Sequence, residues 1–355
     1  MRAKSTKDQI GRSEFIRMIG YTALGMILPA NAESLLGQPK ERKDDLDEFT
    51  KSLVSDGFVF DGCGSLGINR GKGMVSLLPG DIKKLTGIDA GTHGARPEHL
   101  SETNKWIAEY KDAFFRIDRA SDIETTKKTN KYGMLLYAQR EFDLKGSIEP
   151  LARWKEEGLR SLQISYGDNE LGGGSRSDET PLSALGKQVV QEMNRLRMIV
   201  DVSHSGKRTT LDVCAATGAP VTANHANVFR LTGLDRNKTD EELKAIAGTG
   251  GMVGVTSINR FILRDPSRPA TINEFIDHVD YLVQMIGIDK VGLASDCGMD
   301  GTQRYEVDFS GPLLNSYDRW RYVAFRLRKK GYSGEDIQKV LGSNFKRVFS
   351  QVLDP

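Results

Sequence analysis

Two of the five histidines in this 355-residue chain stand where imidazoles can do chemistry. His204 follows the apolar run Met198-Ile199-Val200-Asp201-Val202, and His225 follows Pro220-Val221-Thr222. A carboxylate, Asp296, follows a third run, Lys290-Val291-Gly292-Leu293. Other polar residues end similar runs: Asp61 and Cys63 after Phe58-Val59-Phe60, Gln139 after Met134-Leu135-Leu136-Tyr137, and Tyr166 after Leu162-Gln163-Ile164-Ser165. Two imidazoles and a carboxylate converging on one point can hold a divalent metal such as zinc. A bound ion acidifies water and polarises a carbonyl, which is hydrolytic chemistry. Taken singly, each residue has an ordinary explanation: a histidine after a strand often just hydrogen-bonds its loop, and an aspartate there often caps the next helix. Their joint placement favours a site. His93 and His99, in a glycine-rich stretch before a helix, are expected at the surface or rim, and mid-helix His278 is expected to pack.

These positions need a fold that gathers strand ends. The apolar runs, together with a weaker one at 85–90 and Met252-Val253-Gly254-Val255, are bounded by Gly, Asp, Asn or Ser, as buried parallel strands are. Between them, residues 98–111, 182–196, 207–216, 240–247, 272–286 and 317–330 carry apolar residues at three- and four-residue spacing. Thr239-Asp240-Glu241-Glu242 supplies a cap and early acids for one of these helices. About eight strand–helix units argue for an α/β fold, a closed (β/α)₈ TIM-type barrel, in which catalytic side chains sit at the C-terminal strand ends. An open doubly wound sheet is the alternative; no GxGxxG or GxxxxGK[ST] follows a strand, which weakens its nucleotide-binding forms.

The 50 basic and 48 acidic side chains nearly balance, which gives no reason to expect nucleic acid as a partner. Arg2, Lys4, Lys7, Arg12 and Arg17 precede an uncharged, mostly apolar run at 18–28 and the small-x-small sequence Ala30-Asn31-Ala32. That is the order of a signal peptide over 1–32, too short to span a bilayer, so the mature chain is expected to have no transmembrane span. Gly11-Arg12-Ser13-Glu14-Phe15-Ile16-Arg17 is similar to a twin-arginine export motif with Ser13 in place of the second arginine. Export to a bacterial periplasm or cell envelope follows, with residues 33–56 as a linker or N-terminal extension and 57–355 as the barrel. In such a compartment Cys63 and Cys297, both expected near one rim of the mouth, could pair, serve as a thiolate ligand, or remain a reduced structural pair.

Several segments carry a family resemblance. Met193–His204, MNRLRMIVDVSH, is similar to the EMNRLGMIVDLSH segment of the renal (membrane) dipeptidases. Ala219–His225 resembles their APVIASH, Arg236–Asp240 their RNLTD, Val291–Asp296 their VGIGSD, and Gly342–Phe345 their GGNF. The resemblance runs over about residues 57–349. It implies a metallo-dipeptidase barrel in which His204 and His225 ligate a metal, Asp296 holds the substrate amine and relays a proton, and Arg236 binds the substrate carboxylate. It also implies a small peptide-like substrate, and a homodimer as a family habit. Where the family has a His-x-Asp pair, this chain has Cys63 and Ser65; Gln139 replaces a bridging Glu, and Tyr166 a substrate-contacting His. A neutral amide screens two cations poorly, so one ion, zinc, is expected rather than two, with Gln139 and Cys63 as weaker ligands. The expectation is an exported one-metal hydrolase of a small peptide or amide bond; the alternative is a catalytically inactive binding or scaffold protein on the same barrel.

Overall fold

The apolar runs fold as short strands with both faces covered. The computed structural model describes residues 46–65, 79–140, 142–298, 310–311 and 313–354. Its strands are β1 (Phe60–Asp61), β2 (Gly64–Ser65), β3 (Ala90–Gly94), β4 (Phe114–Arg116), β5 (Tyr132–Ala138), β6 (Leu159–Gln163), β7 (Ile199–Asp201), β8 (Val221–Ala223), β9 (Met252–Thr256), β10 (Val291–Ala294) and β11 (Cys297–Gly298). The order β1-β3-β5-β6-β7-β8-β9-β10 is parallel throughout, with β4 beside the first half of β5 and β6 beside its second half. The two ends of the sheet meet where the Gly62 N–H donates to the Leu293 carbonyl at 2.9 Å. Just beyond, β2 and β11 pair with Cys297 opposite Gly64. The result is a nearly closed parallel (β/α)₈ barrel of the TIM type, as the strand–helix alternation requires.

Helices Lys207–Ala216 and Ile272–Ile286 coincide with the periodic stretches, and Leu100–Glu109, Ala184–Arg195, Asp240–Gly248 and Arg319–Lys329 lie within a few residues of theirs. Thr239 and Glu242 form a full capping box. Helix Asn344–Leu353 plugs the barrel: Phe345 packs on Phe60 with ring centres 4.9 Å apart. A Cβ on Gly254 or Gly292 would lie 3.1 or 2.6 Å from the Phe345 ring. These two glycines therefore serve close packing against the plug helix.

Three expectations need correction. The extension ends earlier than residue 56: Glu48–Ser55 is a helix capped by Asp47 and packed on helix Arg319–Lys329, with the Arg328 guanidinium 4.4 Å from the Phe49 ring centre. The early strand lies at 90–94 rather than 85–90, because Ile82–Thr86 is helical. That shift places His93 on β3, where it is buried and bonded to the Tyr132 hydroxyl at 2.8 Å, not at the rim. The proposed leader over 1–32 lies outside the described residues. No helix among those described is long and apolar enough to cross a membrane.

His278 does more than pack. Its Nδ1 accepts from the Val228 N–H at 3.1 Å and its Nε2 donates to the Ile262 carbonyl at 3.0 Å, tying its helix to the segments after β8 and β9. Burial pulls its pKa down to about 4, and that of His93 to about 3. Both rings are thus neutral in the fold but protonate in the unfolded chain near pH 6.5. Stability is complete above about pH 6.5 and is lost as pH falls from there towards the folded values. Depression of His278 alone corresponds to about 3 kcal/mol once pH is below 4. The slope of unfolding free energy between pH 6.5 and 4.5 should flatten in His278→Leu; an unchanged slope would exclude this residue as a source.

Candidate metal centre

The mouth is assembled from strand ends that buried hydrogen bonds hold in place. Asp61, fully buried at the end of β1, accepts from Ser295 N at 2.8 Å and Cys63 N at 3.1 Å through one oxygen. It thereby pins the first strand to the last. Asp296 N donates to the Cys63 carbonyl at 2.7 Å, and Asp296 adopts a left-handed backbone with φ 53°. Such a conformation in a non-glycine residue is uncommon outside functional or tightly constrained positions. It brings an Asp296 carboxylate oxygen to 3.6 Å from the Cys63 sulfur.

Across the mouth, Asp201 is a scaffold group rather than a ligand. It accepts from the Tyr137 hydroxyl at 2.5 Å, the Ser203 hydroxyl at 2.7 Å and Asn224 N at 2.8 Å. Ser203 in turn accepts from His225 N at 3.1 Å. This chain of contacts fixes the segments that carry His204 and His225. Their Nε2 atoms converge to 3.1 Å. Gln139, directly after β5, sets its amide nitrogen 2.8 Å from His225 Nε2 and 3.3 Å from His204 Nε2. Tyr166, half exposed, lies flat on His204 with ring centres 4.1 Å apart and planes 22° apart. The Arg140 guanidinium lies 5.3 Å from the Tyr166 ring centre.

Burial, and then the Arg236 charge, push both imidazoles well below their ordinary pKa. At neutral pH they are uncharged, so each ring keeps one unprotonated nitrogen that can serve a cation. Burial first, and Asp296 second, push the Cys63 thiol well up, so it ionises only if a cation joins it. Cys63, His225 and Asp296 each offer a donor atom, all within 4.8 Å of one another. Two nitrogens on one tetrahedral zinc ion lie ~3.3 Å apart at Zn–N distances of about 2.0–2.1 Å. The 3.1 Å histidine spacing matches that geometry, and N, S and O donors of this kind suit zinc. The residues present therefore fit one divalent ion. For Gln139 to join as a ligand its amide must turn over to present oxygen, since an amide nitrogen has no free lone pair.

Arg236 has a structural part as well. It is buried, and its two terminal nitrogens donate to the carbonyls of Ser203 at 2.6 Å and His225 at 2.7 Å. It joins the two histidine-bearing segments as well as lining the cavity outside them. That cavity, of about 1160 Å³, opens from His204 and Tyr166 between the loops that follow β6, β8 and β9. Cys63 and Cys297 are both free thiols. Cys63 lies in the turn between β1 and β2 and Cys297 on β11 opposite Gly64, but Cys297 faces Arg319, which donates to its sulfur, while Cys63 faces Asp296. No disulfide joins them. Tyr137 and Ser203 were hidden inside strand and motif text; only a fold that turns Tyr137 towards Asp201 makes them part of the site. Ser65 ends β2 beside Gly298.

The description "Membrane dipeptidase (Peptidase family M19)" matches residues 92–354. Dipeptidase tcpJ of Claviceps purpurea is 28% identical over 69% of this chain, which spans only 57% of that relative's length. A Klebsiella pneumoniae protein encoded in the pqqA 5′ region is 30% identical over 66% of this chain and 87% of its own length. Among solved structures, an amidohydrolase from Pseudomonas aeruginosa superposes with a TM-score of 0.76 at 24% identity, over 86% of this chain and 99% of that one. A metallo peptidase from Rhodobacter sphaeroides, liganded with a phosphinate mimic of the dipeptide L-Ala-D-Ala, gives 0.72 at 20% identity, over 83% and 99%. With the barrel, the converging histidines and this match across most of its length, the chain belongs to the membrane dipeptidase family, peptidase family M19.

Proposed function

We propose that the chain is a metal-dependent dipeptidase working with one divalent ion, zinc by the chemistry of its donors. The observation that carries this reading is the 3.1 Å convergence of two neutral, buried imidazole nitrogens. Cys63 and Asp296 complete the donor set around His225. Family membership and the dipeptide mimic in the Rhodobacter sphaeroides structure support the substrate class.

Lewis acidity towards the scissile carbonyl is what such an ion supplies when bound. The chain's own groups do the rest. His204 and His225 present neutral Nε2 atoms, and Tyr166 keeps the His204 ring in plane. Asp296, held by its backbone bond to Cys63, has a carboxylate at the edge of the donor set that can accept the substrate ammonium or carry a proton to the leaving nitrogen. Arg236 retains N–H groups beyond its two carbonyl bonds, and its fork suits the substrate carboxylate. The leader reading assigns this activity to the periplasm or cell envelope; a mature N-terminus beginning near residue 33, found by sequencing the fractionated protein, would test that.

One observation favours the second reading, a binding or scaffold protein without catalysis. As oriented, the Gln139 amide can donate to both Nε2 atoms and so satisfy them without a cation. Metal analysis of the purified full chain separates the two. We expect close to one zinc per chain, with dipeptide hydrolysis lost on chelation and restored by zinc. Two ions per chain would overturn the single-ion assignment, and a chain that takes up no zinc and hydrolyses nothing would leave the binding reading.

A further inference from the structure

The backbone on each side of His204 is held by a cation from one distant segment. Arg236 donates to the Ser203 carbonyl at 2.6 Å, and the Lys238 ammonium donates to the Ser205 carbonyl at 2.6 Å. Both cations come from the loop after β8. Lys238 makes a parallel bridge with Val228: its N–H donates to the Asn227 carbonyl and its carbonyl accepts from Phe229 N, each at 2.9 Å. In extended backbone, residues two apart point the same way and the one between them points back. Asn237 does so, its amide donating to the Thr232 hydroxyl and the Phe261 carbonyl, both at 2.8 Å.

A lysine at the depth of Lys238 needs a reason. Its side chain is 2% exposed, and that of Glu242, whose carboxylate lies 3.0 Å from the ammonium, is 3% exposed. All three ammonium protons are engaged: by the Ser205 carbonyl, by Glu242, and by the Thr210 hydroxyl at 2.9 Å, which itself donates to the Ser205 carbonyl at 3.4 Å. The other Glu242 oxygen accepts from Thr239 N at 2.8 Å and the Thr239 hydroxyl at 2.9 Å. Helices Lys207–Ala216 and Asp240–Gly248 thus meet at one ammonium. A buried ion pair is a poor source of net stability, because desolvation offsets the attraction; its best-attested use is to fix one arrangement among several. The RNLTD segment of the dipeptidases has leucine at this place, and leucine would fill the space without desolvating a charge. What leucine cannot do is bind the Ser205 carbonyl.

We propose that Lys238, with its charge balanced by Glu242, is a positioning residue for the metal centre. Together with Arg236 it clamps the two carbonyls that flank His204, and so sets where that imidazole stands against His225. The purpose of the clamp rests on the one-ion reading; the clamp itself is a property of the chain with or without an ion.

Lys238→Met alone would leave the Glu242 carboxylate buried and unpaired, so the informative change is Lys238→Met with Glu242→Gln. Glu242→Gln by itself is the control: its amide oxygen can still accept from the ammonium, and the bond to the Ser205 carbonyl is kept. Thr210→Val, a change of shape-matched side chains, removes one hydroxyl of the clamp and leaves the ion pair. Histidine ring nitrogen resonances of the full chain, freed of metal by chelation and with the His204 signals assigned through His204→Ala, read the clamp directly. The paired change should move the His204 resonances and leave those of His93 in place. Thr210→Val should move them the same way by less, and Glu242→Gln should leave them nearly unmoved. His204 resonances indifferent to both the paired change and Thr210→Val, or His93 moving as far as His204, would overturn the clamp. Zinc titration then reads its purpose. The paired change should weaken zinc binding about tenfold, as loss of a group that orients a ligand does, and by no more than His204→Ala. Added to His204→Ala it should cost nothing further, because a group that acts through His204 has nothing left to act on. A loss that adds to that of His204→Ala, or one matched by Glu242→Gln alone, would make the pair a general stabiliser and overturn the proposal. A wild-type chain that takes up no zinc defeats the one-ion reading instead, and the ring resonances still decide the clamp.

Discussion

His225→Ala is expected to strip the chain of its metal. The imidazole is fully buried, its Nε2 lies 3.1 Å from that of His204, and it is the histidine that shares a donor cluster with Cys63 and Asp296. Removing it takes away the donor common to both halves of the mouth. Even changes to groups that only orient ligands typically cost about 10–100-fold in metal affinity, so loss of the ligand should cost more than about 100-fold, with hydrolysis falling in step. His204→Ala should weaken binding less, because the cluster of Cys63, His225 and Asp296 remains. Zinc titration of the two variants against a chromophoric chelator reads both numbers, with the unfolding midpoint as a check that a cavity at position 225 has not simply melted the barrel. Wild-type zinc affinity in His225→Ala would sink the site, and a larger loss in His204→Ala would move the ion away from Cys63.

The ranking also shows what was legible beforehand. His204, His225 and Asp296 could be read from the sequence because each follows an apolar run, and a parallel barrel brings all such run ends to one face. Their grouping could not. That Cys63 and Asp296 approach one another depends on the closure of the barrel, where the Gly62 N–H meets the Leu293 carbonyl across more than two hundred residues. His93 was misplaced for a local reason: its strand, Ala90–Gly94, contains two glycines, a threonine and a histidine, and carries no apolar alternation. Burial there comes from neighbours on both sides, β1 and β5. Strand Phe114–Arg116 and helices Ala120–Lys128 and Pro150–Glu156 are short or polar and leave a weak periodic trace. The clamp on either side of His204 was invisible for another reason. Arg236 and Lys238 each lie 33 residues beyond the carbonyl they bind, and nothing in that spacing says that the two loops adjoin.

Arg236→Lys is expected to fail in two measurable ways. The guanidinium bridges the Ser203 and His225 carbonyls with separate nitrogens, inside a buried setting. An ammonium on a shorter reach can satisfy one carbonyl well but not both, and a buried acceptor left without its donor costs about 1–3 kcal/mol. A surface arginine paired with a nearby acid would give a nearly silent substitution, at most about 0.5 kcal/mol. Unfolding of the purified variant distinguishes these cases. Because the His225 carbonyl is one of the two acceptors, loosening it should also disturb the imidazole of the same residue, and zinc affinity should fall, though by less than in His225→Ala. Substrate recognition needs its own readout. A dipeptide and its C-terminal amide differ only in the carboxylate that Arg236 is proposed to bind. The wild-type chain should favour the acid, and Arg236→Lys should lose most of that preference, since a point charge does not reproduce a two-pronged contact. If the variant is destabilised and binds zinc poorly but still discriminates acid from amide as the wild type does, Arg236 is a positioning residue for the two histidine segments and the carboxylate is held elsewhere in the cavity.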